Sequence, residues 1–141
     1  KGRLNFPVQG VRIREYGVDD GIGGTAKGLS IATRKNAQIT APSDGLVVYA
    51  GPFRSYGKLL IVDVGENYHM LIAGMDKIQE STGQFVIAGE PLGTMSNKNV
   101  KSASLFATNS TTKPILYVEL RKKGTPINPK AWWADEKSTR G

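Results

Sequence analysis

A 141-residue chain in which 17 glycines and 7 prolines punctuate short apolar runs has room for one hydrophobic core, and it points to β structure rather than a helical bundle. The absence of cysteine excludes disulfides and thiolate metal sites, and no run approaches the roughly 18 apolar residues of a membrane-spanning helix, so no span is expected. The formal charge of +7 biases the chain toward anionic surroundings, but its lysines and arginines are scattered without a dense basic run, and no nucleic-acid partner is expected.

Leu4 to Gln9 reads as an extended opening segment. Gly10 to Tyr16 alternates Val11, Ile13 and Glu15 against Arg12, Arg14 and Tyr16, the period of a half-buried strand. Four glycines between Gly17 and Gly24 then break regular structure, and with no helix following to supply an anion site the stretch reads as a mobile surface loop. Ala26 to Thr33 is a short strand with Ala26, Gly28 and Ser30 on one face.

Between Ile39 and Ala50, Pro42-Ser43-Asp44-Gly45 supplies a fixed φ, a local hydrogen-bond acceptor and a residue tolerant of positive φ, so two strands joined as a hairpin are expected. A weaker echo of this turn lies in Gln84 to Gly93. Lys58 to Val64 reads as a central strand paired across Gly65-Glu66-Asn67 with Tyr68 to Met75. Period two puts Met70, Ile72 and Gly74 on one side of that second strand, and His69, Leu71 and Ala73 on the other. Phe85 to Ile87 and Pro91 to Met95 close a barrel-like core. Ser96 to Lys113 is polar and long for a loop, and its composition predicts mobility. Ile115 to Arg121 is a strand with Leu116, Val118 and Leu120 toward the core and Ile115, Tyr117, Glu119 and Arg121 facing away. After the turn Gly124 to Pro129, Ala131-Trp132-Trp133 should form one helical turn with its indoles packed on the sheet. The expected architecture is all-β, mainly antiparallel, in a single domain over 1–141: opening strands 1–24, core 25–95, polar loop 96–113, and final strand and C-terminal turn 114–141.

Chemistry narrows the functional classes. A catalytic zinc takes about three protein ligands and keeps one open position, whereas this chain offers one histidine, no cysteine and carboxylates without ligand spacing. His69 is the only imidazole and reads as a structural or surface residue. Serine hydrolysis requires a base in reach of the nucleophile, and no Gly-x-Ser-x-Gly elbow occurs. Neither catalysis nor a cofactor is expected. A biotinyl or lipoyl carrier fold, with Lys77 of Met75-Asp76-Lys77 at a hairpin tip, leaves Ile115 to Trp133 unexplained.

The blocks GLSIAT, ITAPSDGLVVYAG, SYGKLLIV, YHMLIAGM, GQFVIAGEPLG, LYVELRKKG and INPKAWW, in that order, resemble the LytM (lysostaphin-type) zinc peptidase domain from about Lys27 to Trp133. They are most similar to its noncatalytic branch, the EnvC-type murein hydrolase activators, and the phrases GTAKGLSIAT and GPFRSYG look like alphaproteobacterial members. The resemblance implies a β-sheet domain with a barrel-sandwich-like core. Active members carry His-x-Gly-x-Asp, a histidine closing a Tyr-Ala-His-like strand, and a late His-x-His. The matching positions here hold Ala26, Ser30, Gly74, Ile115 and Tyr117, which implies a catalytically degenerate domain without metal. It further implies that the emptied groove binds a protein through Lys27, Ser30, Tyr56, Met70, Ile72, Gly74, Ile115, Tyr117 and Arg121. The implied partner is a periplasmic N-acetylmuramoyl-L-alanine amidase, switched on for cell-wall cleavage at division. Peptidoglycan itself, and division-complex proteins reached through upstream segments, are further implied partners.

Overall fold

The computed structural model describes residues 4–53, 57–97 and 113–134. Apolar runs long enough to cross a sheet became its middle strands. β5 (Lys58–Gly65), β6 (Tyr68–Met75) and β10 (Ile115–Lys122) each run eight residues, and β6 lies between the other two. Outward from β10 come β2 (Leu29–Thr33) and then β1 (Gly10–Arg14); outward from β5 come β4 (Gly45–Pro52) and the two-residue β8 (Phe85–Val86). β11 (Thr125–Ile127) folds back on β10, and all of these pairings are antiparallel. A second sheet, β3 (Gln38–Thr40), β9 (Pro91–Thr94) and β7 (Lys77–Ile78), stands apart from the first.

The core lies between the two sheets. Ile31, Val47, Leu60, Val62, Leu116, Val118 and Leu120 of the large sheet meet Ile39 and Leu92 of the small one, with Met75 and Met95 filling the irregular space. β10 alternates as its sequence dictates: Leu116, Val118 and Leu120 point into this core.

β6 departs from the expected parity in its consequences. Met70 and Ile72 are wholly buried in the core between the sheets, and Leu71 and Ala73 occupy the outer face. Met70 and Ile72 therefore line no groove, which corrects the placement implied by resemblance. The strand is apolar on both faces, so its alternation carried no polarity from which the outward side could be read. Gly74 then interrupts the alternation: Leu59 pairs with Ala73 and Lys58 with Met75, so Gly74 is an extra residue opposite the β5 ladder. Its φ of +110° suits only glycine, and a Cβ there would run into the Ile115 carbonyl. The bulge returns Met75 to the core.

The β5–β6 hairpin turns as expected, with Glu66 (φ 53°) and Asn67 (φ 70°) both left-handed, the requirement of a tight type I′ connection. The hairpin expected around Pro42 to Gly45 is not formed. β3 pairs with β9 in the small sheet, whereas β4 pairs with β5 and β8 in the large one. The turn carries the chain from one sheet to the other. Its echo after β8 carries it back to β9, and the two crossings are bonded together: Ala41 N–H donates to the Glu90 carbonyl (2.9 Å), Gly89 N–H to the Ala41 carbonyl (2.8 Å) and Ala88 N–H to Asp44 Oδ1 (2.8 Å).

A single 3₁₀ turn, Lys130–Trp132, follows Pro129. As expected, its indoles fold back, Trp133 edge-on to Phe6 at 5.0 Å and Trp132 against Tyr68 at 4.7 Å. Leu4 bridges to Trp133, donating its N–H to the Trp132 carbonyl (2.9 Å) and accepting from Ala134 N–H (2.6 Å).

Candidate functional site

Cross-strand register assembles the outer face of the large sheet in rows. Ser30, Tyr117, Ala73 and Leu59 stand side by side; the next row along is Glu119, Leu71 and Ile61; the next is Arg121, His69 and Asp63. Ala32, Leu59, Ala73 and Ile115 form a small buried apolar cluster here, with Phe53, Ile61, Leu71 and Tyr117 packed against it.

This face becomes concave because segments outside the central strands rise beside it. The Gly17–Gly24 stretch is tied back along the chain, Gly17 N–H donating to the Ala26 carbonyl and Ala26 N–H to the Val18 carbonyl, both at 2.8 Å. Asp20 Oδ1 accepts from Ile22 N–H (2.9 Å) and Gly24 N–H (3.0 Å). Those backbone donors, Ile22 first, hold the Asp20 carboxyl below its ordinary range, and Arg14 adds to the effect. The loop presents Ile22, 84% exposed, at the mouth of the cavity. The resulting cavity of about 590 Å³ has an apolar side of Phe53, Leu59, Leu71 and Ala73, a polar side of Arg14, Asp20, Lys27, Ser30, Tyr117, Glu119 and Arg121, and Ile22 at its mouth.

Its floor is organised by Glu119, a carboxylate only 7% exposed. Tyr117 Oη donates to Glu119 Oε2 and Arg121 Nε donates to Glu119 Oε1, each at 2.7 Å. A buried carboxylate is tolerable only with such partners, so the three side chains form one unit. Burial, then the bond to Glu119, pushes the Tyr117 hydroxyl well above the ordinary phenol range, and Tyr117 remains a proton donor. Its ring lies over bare backbone: a Cβ on Gly28 would come within 2.8 Å of the ring and the hydroxyl.

The structure thus brings together Ala26, Lys27, Ser30, Tyr117 and Arg121, five of the positions singled out from sequence. Ile115 is a buried member of the apolar cluster, 5% exposed, and Gly74 sits at the bulge beside the Ile115 carbonyl; neither lines the cavity. Tyr56 and the greater part of the polar loop, 98–112, lie outside the described residues. Arg14, Asp20, Ile22, Thr25, Phe53, Leu59, Leu71, Ala73 and Glu119 were missed as groove residues. Glu119 was legible, since it shares the period-two face of Tyr117 and Arg121; the others come from other strands and from loops, and depend on how those segments meet.

The cavity holds carboxylates, hydroxyls and cations but no imidazole, and no three His, Cys, Asp or Glu among the described residues cluster so as to hold a metal ion. His69 Nε2 stands 4.0 Å from Asp63 Oδ2, in the row of Arg121 but outside the cavity lining.

Comparison with known proteins agrees with this architecture. The description of Peptidase family M23 matches residues 24–129. Murein hydrolase activator NlpD of Escherichia coli is 33% identical over 125 residues, covering 88% of this chain and 29% of NlpD. Murein hydrolase activator EnvC of the same organism is 27% identical over 134 residues, covering 94% of this chain and 29% of EnvC. The chain thus spans less than a third of the length of either relative. The crystal structure of the catalytic domain of the prophage-encoded protein EnpA from Enterococcus faecalis superposes with a TM-score of 0.70 at 24% identity, covering 92% of this chain and 97% of that one. By its matched length, its fold and these relatives, the chain belongs to Peptidase family M23.

Proposed function

We propose that this chain is a noncatalytic activator of a peptidoglycan hydrolase, specifically of a periplasmic N-acetylmuramoyl-L-alanine amidase, and that it acts by binding that enzyme in the groove. The observation that carries the reading is the groove itself, a cavity with an apolar half and a hydrogen-bonded Tyr-Glu-Arg floor, chemistry suited to docking a protein rather than to open metal coordination. The degeneracy inferred at Ala26, Ser30, Gly74, Ile115 and Tyr117 supports it, as do the activator names of two relatives. Tyr supplies rigid apolar area with a polar tip and Arg a forked cation, the residue types that dominate interface energetics. Activation then follows if docking favours the open state of the amidase over the closed one, which requires tighter binding to the open state.

The test is dye release from labelled sacculi by a purified amidase with and without this protein, together with titration of the two proteins. Arg121→Ala should weaken the complex by about 1 to 3 kcal/mol and cut activation in proportion, with the fold intact. Wild-type affinity and activation in that variant would move the docking surface elsewhere. The charge of +7 favours one other reading, a peptidoglycan-binding module. Salt-sensitive pelleting with sacculi in the absence of any amidase, without activation when one is added, would establish that reading instead.

A further inference from the structure

The charges in the cavity are unequal in what they have left to give. Both acids are engaged within the chain: Glu119 accepts from Tyr117 and Arg121, and Asp20 accepts from Ile22 and Gly24. The cations Arg14, Lys27 and Arg121 line the same space. Glu119 engages Arg121 through Nε, on one edge of the guanidinium, so the two Nη groups at the end of the plane form a fork whose orientation that bond fixes. Opposite this cationic side stand Phe53, Leu59, Leu71 and Ala73.

We propose that Glu119 is a positioning residue that locks Tyr117 and Arg121 into one element, and that the cavity so built takes an apolar side chain accompanied, on the same protein segment, by a carboxylate. This rests on the groove being a protein-docking site and names the chemistry of what docks. The apolar half accounts for the side chain, which a purely polar ligand would leave without a purpose. The forked, preoriented guanidinium accounts for the carboxylate, because a bidentate pair demands a fixed plane. A held Arg121 also loses less rotamer freedom on binding than a loose one would.

The experiment is an amide-resolved NMR titration of the protein with two blocked tripeptides, acetyl-Leu-Ala-Glu-amide and acetyl-Leu-Ala-Gln-amide, at low salt. The glutamate peptide should bind at least fivefold more tightly, with shifts centred on Leu71, Tyr117 and Arg121. The decisive variant is Glu119→Gln, since the two accounts of Glu119 predict opposite signs. If Glu119 were only a negative charge, its removal would make the cavity more positive and strengthen the glutamate preference. As a positioning residue, its loss should shrink the preference to below twofold, as Arg121→Gln also should. Tyr117→Phe, which retains the ring and removes only the hydroxyl, provides the same comparison should Glu119→Gln fail to fold, and it should lower the preference partway. No discrimination by the wild type, or a preference that rises in Glu119→Gln, would overturn the proposal. So would selective binding of a soluble stem peptide in place of both probes. Amidase activation measured in parallel separates the two claims: discrimination without activation sinks the activator reading alone, and activation without discrimination sinks this proposal alone.

Discussion

Gly74 and Met70 sit four residues apart on one strand and fail for different reasons when changed. At Gly74 the cost is backbone: φ of +110° is strained for any L side chain, and a Cβ meets the Ile115 carbonyl with no room to yield. Gly74→Ala should lower stability by about 1 to 3 kcal/mol from the dihedral alone, read as a reduced urea midpoint with unchanged slope. Met70→Ala should cost about 2 to 5 kcal/mol, the range for emptying a closely packed core position, and should leave the affinity of the folded fraction for the proposed amidase unchanged. A loss of affinity without a loss of stability in Met70→Ala would return that residue to the groove. The contrast with β10 shows what a sequence makes readable. There Tyr117, Glu119 and Arg121 are polar against Leu116, Val118 and Leu120, so the outward face declares itself. In β6 Leu71 and Ala73 are as apolar as Met70 and Ile72, because the outer face carries a second small apolar cluster, and only the register with β5 and β10 settles which pair is inside.

Among the elements, the linked crossings after β3 and after β8 do the work a hairpin was expected to do. Turn chemistry in Pro42 to Gly45 correctly indicated a reversal, but it specifies the bend and not the partner of either strand. The partner is chosen by long-range burial, here Ile39 with the small sheet and Val47 with the large one. Asp44→Ala removes the side-chain acceptor for Ala88 N–H, a contact spanning 44 residues, and should cost about 1 kcal/mol by chemical denaturation. An unchanged midpoint would mean that the backbone bonds alone hold the crossings together. The glycine-rich wall of the cavity offers a pH test. Asp20 is lowered by Ile22 and Gly24 N–H donors, so the loop's added order is present in full above the ordinary aspartate range and is lost as pH falls through the lowered value. Amide exchange at Ile22 and Gly24 should accelerate, after correction for intrinsic chemistry, as the solution is acidified, while β10 amides remain protected. Equal protection of the loop at neutral and strongly acidic pH would remove Asp20 as its organiser.

Considered whole, the described residues place a main core between the two sheets and the candidate cavity on the far side of the larger sheet. A shared core means shared fate. Ile39→Ala, at a wholly buried position of the small sheet, should lower a single thermal transition seen identically by far-UV dichroism and by the fluorescence of Trp132 and Trp133. Two separated transitions would show the small sheet melting alone. The antiparallel β class was legible because short apolar runs and turn residues recur along the chain, and the family because its blocks keep their order. The cavity was only partly legible, since Arg14, Phe53 and Leu59 reach it from β1, the segment after β4, and β5, and nothing local in those stretches announces the meeting.

The bridge between Leu4 and Trp133 has a consequence for how the fold could be re-threaded. Leu4, before the first strand, and Trp132 to Ala134, after the last, are hydrogen-bonded neighbours. Opening the chain elsewhere would then cost little packing. A circular permutant of residues 4–134 that joins Leu4 to Ala134 with a short flexible linker and opens instead at Glu66-Asn67, an exposed tight turn with left-handed geometry, should retain the strand pairings of both sheets.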